Sequence, residues 1–342
     1  MKRFSFILLL LFVLILSLFA FIKEKEHTVK IDGVSFVAPR HEITSSALDP
    51  IVSINAKWLA IIPYAFSQAG KPGVNFNHSH QWWGEGLEGV AATVQMAHMK
   101  NLKVMIKPHI WVRGQGWAGD FDLETEEDWQ SWEKDYSKYI LAYAHLADSL
   151  EVELFCIGTE YRKAVTKRPD YWRQLIAQIR GFYKGKITYA ANWDNYENIE
   201  FWPDLDFIGI DAYFPISEDI TPSVGNLEKG WQMQKHLLND FSNTFNKPIL
   251  FTEFGYQSVD YTADGHWKHD QDTLSVNMAG QANAYEALFN TYWNEEWFAG
   301  GFLWKWHSEH KAIGGPDCKE FTPQNKPAEA IIKKYFGTGD LN

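Results

Sequence analysis

The sequence is poor in cysteine, in clustered positive charge and in low-complexity linkers. Only Cys156 and Cys318 occur among 342 residues, which excludes a disulfide-rich scaffold and allows at most one bridge. Basic residues number 32 against 43 acidic ones, a net charge of −11, and no basic run is present. This balance argues against a nucleic-acid partner. Without a linker rich in glycine, serine or proline, nothing marks a boundary between two large domains.

Aromatic residues, by contrast, are abundant. The chain has 16 Trp, 15 Tyr and 23 Phe, together 16% of its residues. A tryptophan side chain needs a partner for its indole N–H, so it is often found on wet surfaces where flat ligands stack. With 46% hydrophobic and 22% charged residues the chain is typical of a globular protein, and the aromatic excess favours one that binds sugars.

The first 26 residues have the pattern of an export segment. Lys2 and Arg3 precede an uncharged run at 4–22, and Lys-Glu-Lys-Glu at 23–26 ends it abruptly. A basic start followed by an apolar run is typical of a signal peptide or a membrane anchor. The run is long enough to span a bilayer and no clear cleavage site follows, so both remain open, with a buried core helix as a third alternative. We predict an exported protein (secreted, periplasmic or membrane-anchored facing outward) whose mature domain occupies residues 27–342.

The remainder of the chain repeats a short apolar segment followed by a helical pattern. The apolar segments lie at 34–38, 57–64, 103–109, 152–159, 186–192, 207–213, 248–252 and 300–304. Such near-continuous apolar runs suit parallel strands that are covered on both faces. Eight strands that alternate with helices predict an α/β fold, a single (β/α)8 TIM barrel. Because the first and fifth helical patterns are weak, a doubly wound sheet remains the alternative.

Two glutamates close two of these apolar segments. Glu160 directly follows the fourth segment and Glu253 directly follows the seventh. In such barrels the chemistry lies at the carboxyl ends of the strands, so the two carboxyls are expected to approach each other there. Glycoside hydrolysis needs one protonated and one ionised carboxyl at the scissile bond. The alternative for each glutamate is a solvated loop residue or an acidic residue at a helix start.

Three segments, taken in order, resemble a known family. They are Gly-Thr-Glu at 158–160, Asp-Phe-Ile-Gly-Ile-Asp-Ala-Tyr at 206–213 and Phe-Thr-Glu-Phe-Gly at 251–255. In these segments the chain resembles the clan A retaining glycoside hydrolases, and within them family 113, typified by endo-β-1,4-mannanases. The resemblance extends over residues 33–306. It implies double-displacement hydrolysis of a β-linked polysaccharide, with β-1,4-mannan the best candidate and no cofactor, Glu160 as acid/base and Glu253 as nucleophile.

Other outcomes stay open beside that resemblance. A glucan or xylan specificity on the same barrel, or a non-catalytic carbohydrate-binding barrel, would retain most of the same residues. The chain also departs from the clan at Thr159, where an asparagine that contacts the sugar 2-hydroxyl usually stands. That contact is then either weaker or supplied by Asn192. By the same resemblance, Tyr213 bonds the nucleophile and Trp304 forms the floor of the subsite that holds the attacked sugar.

Further candidates for substrate binding lie at the other strand ends. Asn192 and Trp193 end the fifth segment, and His109 and Trp111 belong to a glycine-rich aromatic loop after the third. Such loops at strand ends commonly bind ligands, although a structural role for the histidine is equally open. Asp211 shares a strand face with Tyr213, so it is either a site residue or the structural partner of a basic group.

Two loops offer weaker signals. Trp82 and Trp83 are interpreted as sugar platforms, with packing of the loop on the barrel as the rival. His78 and His80 nearby are two residues apart without a well-placed third ligand, so no metal site is predicted. The loop at 260–272, rich in histidine and aspartate, either contributes a subsite or is a solvated excursion, and the latter is favoured.

Overall fold

The computed structural model describes residues 30–270 and 272–337. The predicted signal peptide or anchor lies outside these residues and stays a prediction. Within the described residues, no helix combines the length and apolar character needed to cross a membrane.

The strands of the described residues are β1 (Ile31–Phe36), β2 (Trp58–Ile61), β3 (Tyr64–Gln68), β4 (Lys103–Ile106), β5 (His109–Arg113), β6 (Leu154–Thr159), β7 (Lys186–Asn192), β8 (Ile208–Asp211), β9 (Ile249–Phe254) and β10 (Phe298–Trp306). Eight of them are parallel and close into a barrel, in the order β1-β10-β9-β8-β7-β6-β4-β2. Because β1 pairs with both β2 and β10, the sheet has no edge. The predicted (β/α)8 barrel is confirmed, and the doubly wound alternative is excluded.

Two of the predicted strands are each divided in the structure. The segments 57–64 and 103–109 break near Pro63 and Pro108, and the chain beyond them forms β3 and β5, which pair in a separate parallel two-stranded sheet. Proline has no N–H to donate, so it interrupts the barrel ladder. The carbonyl of Pro63 instead accepts from the His109 N–H at 2.9 Å, which fixes the start of the small sheet beside the end of β4.

Helices surround the barrel and connect its strands. They are α1 (Asp49–Ser53), α2 (Leu87–Met99), α3 (Glu126–Ser149), α4 (Arg162–Lys167), α5 (Pro169–Arg180), α6 (Val224–Phe245), α7 (Met278–Tyr292) and α8 (Pro327–Phe336). Thr125 caps α3 by accepting from the Asp128 N–H at 3.1 Å. The first crossover contains only the 3-10 turn Ser45–Leu48 and the short α1, and the fifth only the 3-10 turns Tyr196–Asn198 and Trp202–Asp204. These short elements explain why the helical pattern is weak there.

The interior of the barrel is apolar at one end and polar at the other. Met105, Leu154, Cys156 and Leu250 belong to a buried apolar cluster of strand residues. Side chains alternate along a strand, so Lys107 lies two residues beyond Met105 on the same face. Both cysteines are free thiols, and Cys156 is buried. The apolar layer supports a set of charged side chains at the carboxyl ends of the strands.

Candidate active site

A cleft of about 660 Å³ opens at the carboxyl ends of the barrel strands. Its lining combines three carboxylic acids with aromatic and other polar side chains: His109, Trp111, Trp117, Glu160, Arg162, Asn192, Trp193, Asp194, Tyr213, Glu253, His266, Trp267, Trp304 and Phe321. The barrel therefore brings the ends of β6 and β9 to one cavity.

Glu160 leaves β6 in an unusual backbone conformation. Its φ is 55°, in the left-handed region that few residues other than glycine adopt. Its N–H still donates to the Ala190 carbonyl of β7 at 2.8 Å, while its side chain turns into the cleft. Burial, followed by the nearby Asp211 and Glu253, raises the pKa of Glu160 to about 8. Glu160 is thus a protonated acid at neutral pH.

Glu253 has the opposite electrostatic surroundings. The Tyr213 hydroxyl donates to its Oε2 at 2.7 Å, and Lys107 contacts its Oε1. His109 Nε2 lies 3.4 Å from the same Oε1. Burial alone would raise the pKa of Glu253, but Lys107 and His109 lower it to about 2. Glu253 is therefore ionised across the physiological range.

Lys107 holds a second carboxylate as well. Its Nζ lies 2.9 Å from Oδ1 and 3.2 Å from Oδ2 of Asp211, and Thr252 donates to the same Oδ1 at 2.7 Å. Burial and Glu253 raise the pKa of Asp211, whereas Lys107 lowers it. Asp211 is thus the partner of a basic group, which is one of the two alternatives predicted for it. Two carboxyls therefore share one ammonium that has no exposed surface.

Aromatic rings form the walls of the cleft. The Trp304 ring is nearly parallel to the imidazole of His109, with centroids 5.9 Å apart. Trp193 and Trp267 stack with centroids 5.5 Å apart. Trp111 and Trp304 also line an adjoining cavity of about 440 Å³ that includes Trp82. The cleft therefore continues on the far side of Trp304.

Most of the predicted site residues meet in these two cavities. Those in the main cleft are His109, Trp111, Glu160, Asn192, Trp193, Tyr213, Glu253 and Trp304, and Trp82 lines the adjoining one. Trp83 does not join them, because its ring packs against the hydrophobic core. Asn192 donates to Asp194 at 2.9 Å, and Thr159 donates to the Pro108 carbonyl at 3.3 Å.

Several cleft residues were missed by the sequence reasoning. Lys107 directly follows β4 but lies inside the predicted apolar segment 103–109, and Trp117 lies in the glycine-rich loop after that segment. The loop at 260–272 places His266 and Trp267 in the cleft wall, so the prediction of a solvated excursion was wrong for these two. Arg162 and Phe321 had no sequence signal. Within the described residues no group of three histidine, cysteine or acidic side chains is arranged to hold a metal ion.

Comparison with known proteins gives one family and a set of structural neighbours. The model of Glycoside Hydrolase Family 113 matches residues 39–321. The family 113 β-mannanase AaManA from Alicyclobacillus acidocaldarius, solved with ManMIm, is 26% identical, with a TM-score of 0.78 over 91% of this chain and 98% of that one. A second family 113 β-1,4-mannanase is 24% identical with a TM-score of 0.76, over 90% and 99% of the two chains.

A more distant neighbour shares the fold alone. The β-glucuronidase of Ruminococcus gnavus is 13% identical, with a TM-score of 0.60 over 90% of this chain and 50% of that one. No curated protein sequence matches the chain.

Proposed function

The chain belongs to glycoside hydrolase family 113, and we propose that it hydrolyses β-1,4-mannan internally with retention of anomeric configuration. Because the chain belongs to this family and its structural neighbours include glycosidases, it is a glycosidase. The substrate, the stereochemistry and the residue roles are the proposed part.

One observation carries the proposal: two carboxyls that line the same cleft have pKa values displaced in opposite directions. The pKa of Glu160 is raised to about 8 and that of Glu253 is lowered to about 2. A pair of titratable groups whose environments separate their pKa values in this way is suited to acid and nucleophile roles in one reaction. Retaining glycosidases need this pair.

In the proposed reaction Glu160 donates its proton to the departing glycosidic oxygen while Glu253 attacks the anomeric carbon. The carbon–oxygen bond breaks as the bond to Glu253 forms, giving a covalent glycosyl-enzyme. Glu160, now ionised, takes a proton from water, and the resulting attack at the anomeric carbon releases Glu253. The Tyr213 hydroxyl and Lys107 hold the Glu253 carboxylate in place for both steps.

The shape of the cleft supports cleavage within a polymer. Cavity volume lies on both sides of Trp304, with Trp82 on one side and Trp193 and Trp267 on the other. Sugar faces carry C–H groups that pack on indole rings, so a chain can be held on either side of the bond that is cut.

Mannan is proposed because a structural neighbour with 26% identity is a β-mannanase. The Thr159 hydroxyl is committed to the Pro108 carbonyl, so we propose that the contact to the 2-hydroxyl comes from Asn192, which lines the cleft. Mannan and glucan differ in the orientation of that hydroxyl. The residue at this contact thus bears directly on the choice of sugar.

Export is proposed on separate grounds. The basic residues at 2 and 3 and the apolar run at 4–22 are typical of an export segment, and a polysaccharide substrate is met outside the cell. Fractionation of the producing cells, with N-terminal sequencing of the protein found outside the cytoplasm, distinguishes a cleaved signal from an anchor.

Product release from a panel of polysaccharides tests the function. The chain from residue 27 and its Glu253→Ala variant are compared on mannan, glucomannan, mixed-linkage glucan and xylan. We expect oligosaccharide release from mannan by the parent and none by the variant. Release from another β-glycan would retain the mechanism and change the substrate. Binding without hydrolysis of any glycan by the parent would instead favour a non-catalytic carbohydrate-binding barrel.

A further inference from the structure

Within residues 30–270 and 272–337, the carboxyl of Glu160 forms a single hydrogen bond. Its Oε2 accepts from the indole Nε1–H of Trp117 at 2.6 Å. An indole N–H can donate but never accept. The carbonyl oxygen of a neutral carboxyl is a better acceptor than its hydroxyl oxygen, so this bond favours Oε2 as the carbonyl and places the proton of the neutral acid on Oε1.

From this bond we propose that Trp117 is a positioning residue for the acid/base, which keeps the transferable proton of Glu160 on Oε1. The inference rests on the proposed function, since it assumes that Glu160 is the acid/base. Each step then uses the same atom: Oε1 gives its proton to the leaving oxygen and later takes one from the attacking water. Oε2 keeps its bond to Trp117 throughout, so the carboxyl does not need to rotate between steps.

Arg162 joins the Trp117 loop to the segment that carries Glu160. Its guanidinium carbon lies 4.9 Å from the centroid of the Trp117 ring, within range of a cation–π interaction. Its NH2 donates to Asp120 at 2.6 Å, and its NH1 lies 3.5 Å from Asp194. Asp120 is three residues beyond Trp117, and Arg162 is two residues beyond Glu160. One guanidinium thus ties both partners of the indole–carboxyl bond to each other.

The Trp117 indole packs closely against the backbone at Gly119. A Cβ at this position would lie 2.3 Å from two atoms of the Trp117 ring, a separation that forces the ring or the backbone to move. The indole is therefore packed against the backbone of its own loop on one side. Together with the guanidinium, this packing limits the positions from which Nε1 can reach Glu160.

The bond from Trp117 also affects the pKa of Glu160. An N–H that donates to a carboxyl favours the ionised form, so Trp117 opposes the rise in the pKa of Glu160 caused by burial. The other charged groups that face Glu160 are Asp211 and Glu253, which raise its pKa, and Lys107, which lowers it. Removal of the indole N–H leaves these three in place.

The test compares Trp117→Phe with a matched control, Trp111→Phe, in the chain from residue 27. Trp111 lines the same cleft but has no bond to Glu160. We expect Trp117→Phe to move the alkaline limb of the kcat/KM profile upward by about one pH unit.

The same variants are compared on substrates that differ in their need for an acid. For Trp117→Phe we expect kcat/KM to fall about 10-fold for aryl glycosides with poor leaving groups. It should fall little for dinitrophenyl glycosides, whose leaving group departs without a proton. Trp111→Phe should alter KM and leave the limb in place.

Arg162→Gln provides a second variant that keeps the indole N–H. We expect a smaller shift in the same direction, and a double variant no worse than Trp117→Phe alone, because Arg162 acts through the indole. An alkaline limb that stays in place in both single variants, or an equal loss for good and poor leaving groups, would overturn the proposal. Inactivity of the parent on every glycan would instead overturn the proposed function.

Discussion

Lys107 and Asp211 form an ion pair in which neither side chain has any exposed surface, with Nζ 2.9 Å from Oδ1. The same ammonium contacts Glu253, so one cation balances two carboxyls at the centre of the candidate site. Burying charge in this way is tolerated only while the partners stay together. The buried pair therefore couples the stability of the barrel to the ionisation of the proposed nucleophile.

Replacement of Lys107 by methionine should damage both stability and activity. The variant keeps most of the buried volume but leaves Asp211 and Glu253 without their cation. We expect a loss of about 3 kcal/mol in the free energy of unfolding at pH 7. We also expect about a 100-fold loss in kcat/KM, because misplacing the Glu253 carboxylate should cost about 2.7 kcal/mol of transition-state stabilisation. Denaturant unfolding and steady-state kinetics measure the two effects. Lys103→Met, at the exposed start of the same strand, is the control.

The pH dependence of that loss has a defined sign. In the parent the folded pKa of Glu253 is lowered to about 2 from the usual 4.5, so its contribution to stability is present above pH 4.5 and lost as the pH falls toward 2. In Lys107→Met the buried carboxyls lack their cation, so we expect their pKa values to be raised and the variant to regain stability as they are protonated. The deficit of the variant should thus be largest at neutral pH and shrink on acidification. A deficit independent of pH would show that Lys107 contributes packing alone.

The strands and the two glutamates could be predicted because each depends on local pattern. Apolar runs define buried strands whatever their neighbours are, and a polar residue that ends such a run lies at the site-bearing end of a barrel. Lys107 and Asp211 lie inside predicted apolar segments, so this rule does not single them out, and their roles depend on which strands are adjacent. That the cation is shared between β8 and β9 is a property of the closed barrel and has no counterpart in sequence spacing.

The walls of the cleft were harder to predict. Trp82 and Trp83 are neighbours at the start of a 3-10 turn, and one faces the cavity while the other packs on the core. A pattern of residue types cannot separate them. The loop that carries His266 and Trp267 to the cleft is closed at its base by the bridge between Val259 and Val276. Such a path is set by tertiary contacts.

The proposed mechanism predicts different products from the two glutamate variants with azide. In Glu253→Ala azide can enter the space of the missing nucleophile, and attack from that side yields an α-glycosyl azide from an activated β-glycoside. In Glu160→Ala azide attacks the covalent intermediate and yields the β-azide. Proton NMR of the products assigns each anomer. The same anomer from both variants would contradict the assigned roles.

Retention itself can be followed in the parent protein. NMR of early products should show the β-anomer first, and the two carboxyls should lie about 5–5.5 Å apart in a crystal structure, as double displacement requires. Initial release of the α-anomer, or a separation beyond about 6.5 Å, would indicate inversion.

The activity of the parent should have a bell-shaped dependence on pH. Glu160 must carry a proton and Glu253 must not, so kcat/KM should fall at high pH near the pKa of about 8 and at low pH near about 2. Tyr213→Phe removes a hydroxyl that donates to Glu253. Loss of this donor should raise the pKa of Glu253, because the bond favours the ionised carboxylate. We expect the acid limb to move upward and kcat/KM to fall about 10-fold or more.

Tyr64→Phe is the matched control for that variant. Its ring packs against His109, but no hydrogen bond joins it to Glu253 in the described residues. The acid limb should keep its position in this control. Movement of the alkaline limb in Tyr213→Phe, with the acid limb fixed, would assign the phenol to Glu160 instead.

A cleft that continues on both sides of Trp304 predicts that distant tryptophans affect polymers more than short substrates. Trp82 and Trp267 are 41% and 48% exposed and lie in different cavities. An indole lost from a sugar platform should cost roughly 1–2 kcal/mol, so each alanine variant should raise KM for mannan about 10-fold and leave both pH limbs in place. Trp58→Ala, at a cavity that opens elsewhere on the barrel, is the control. Two results together would indicate that the enzyme acts from one end of its substrate. Only one of the two cleft variants would raise KM for mannan, and the viscosity of a mannan solution would fall no faster than reducing ends appear.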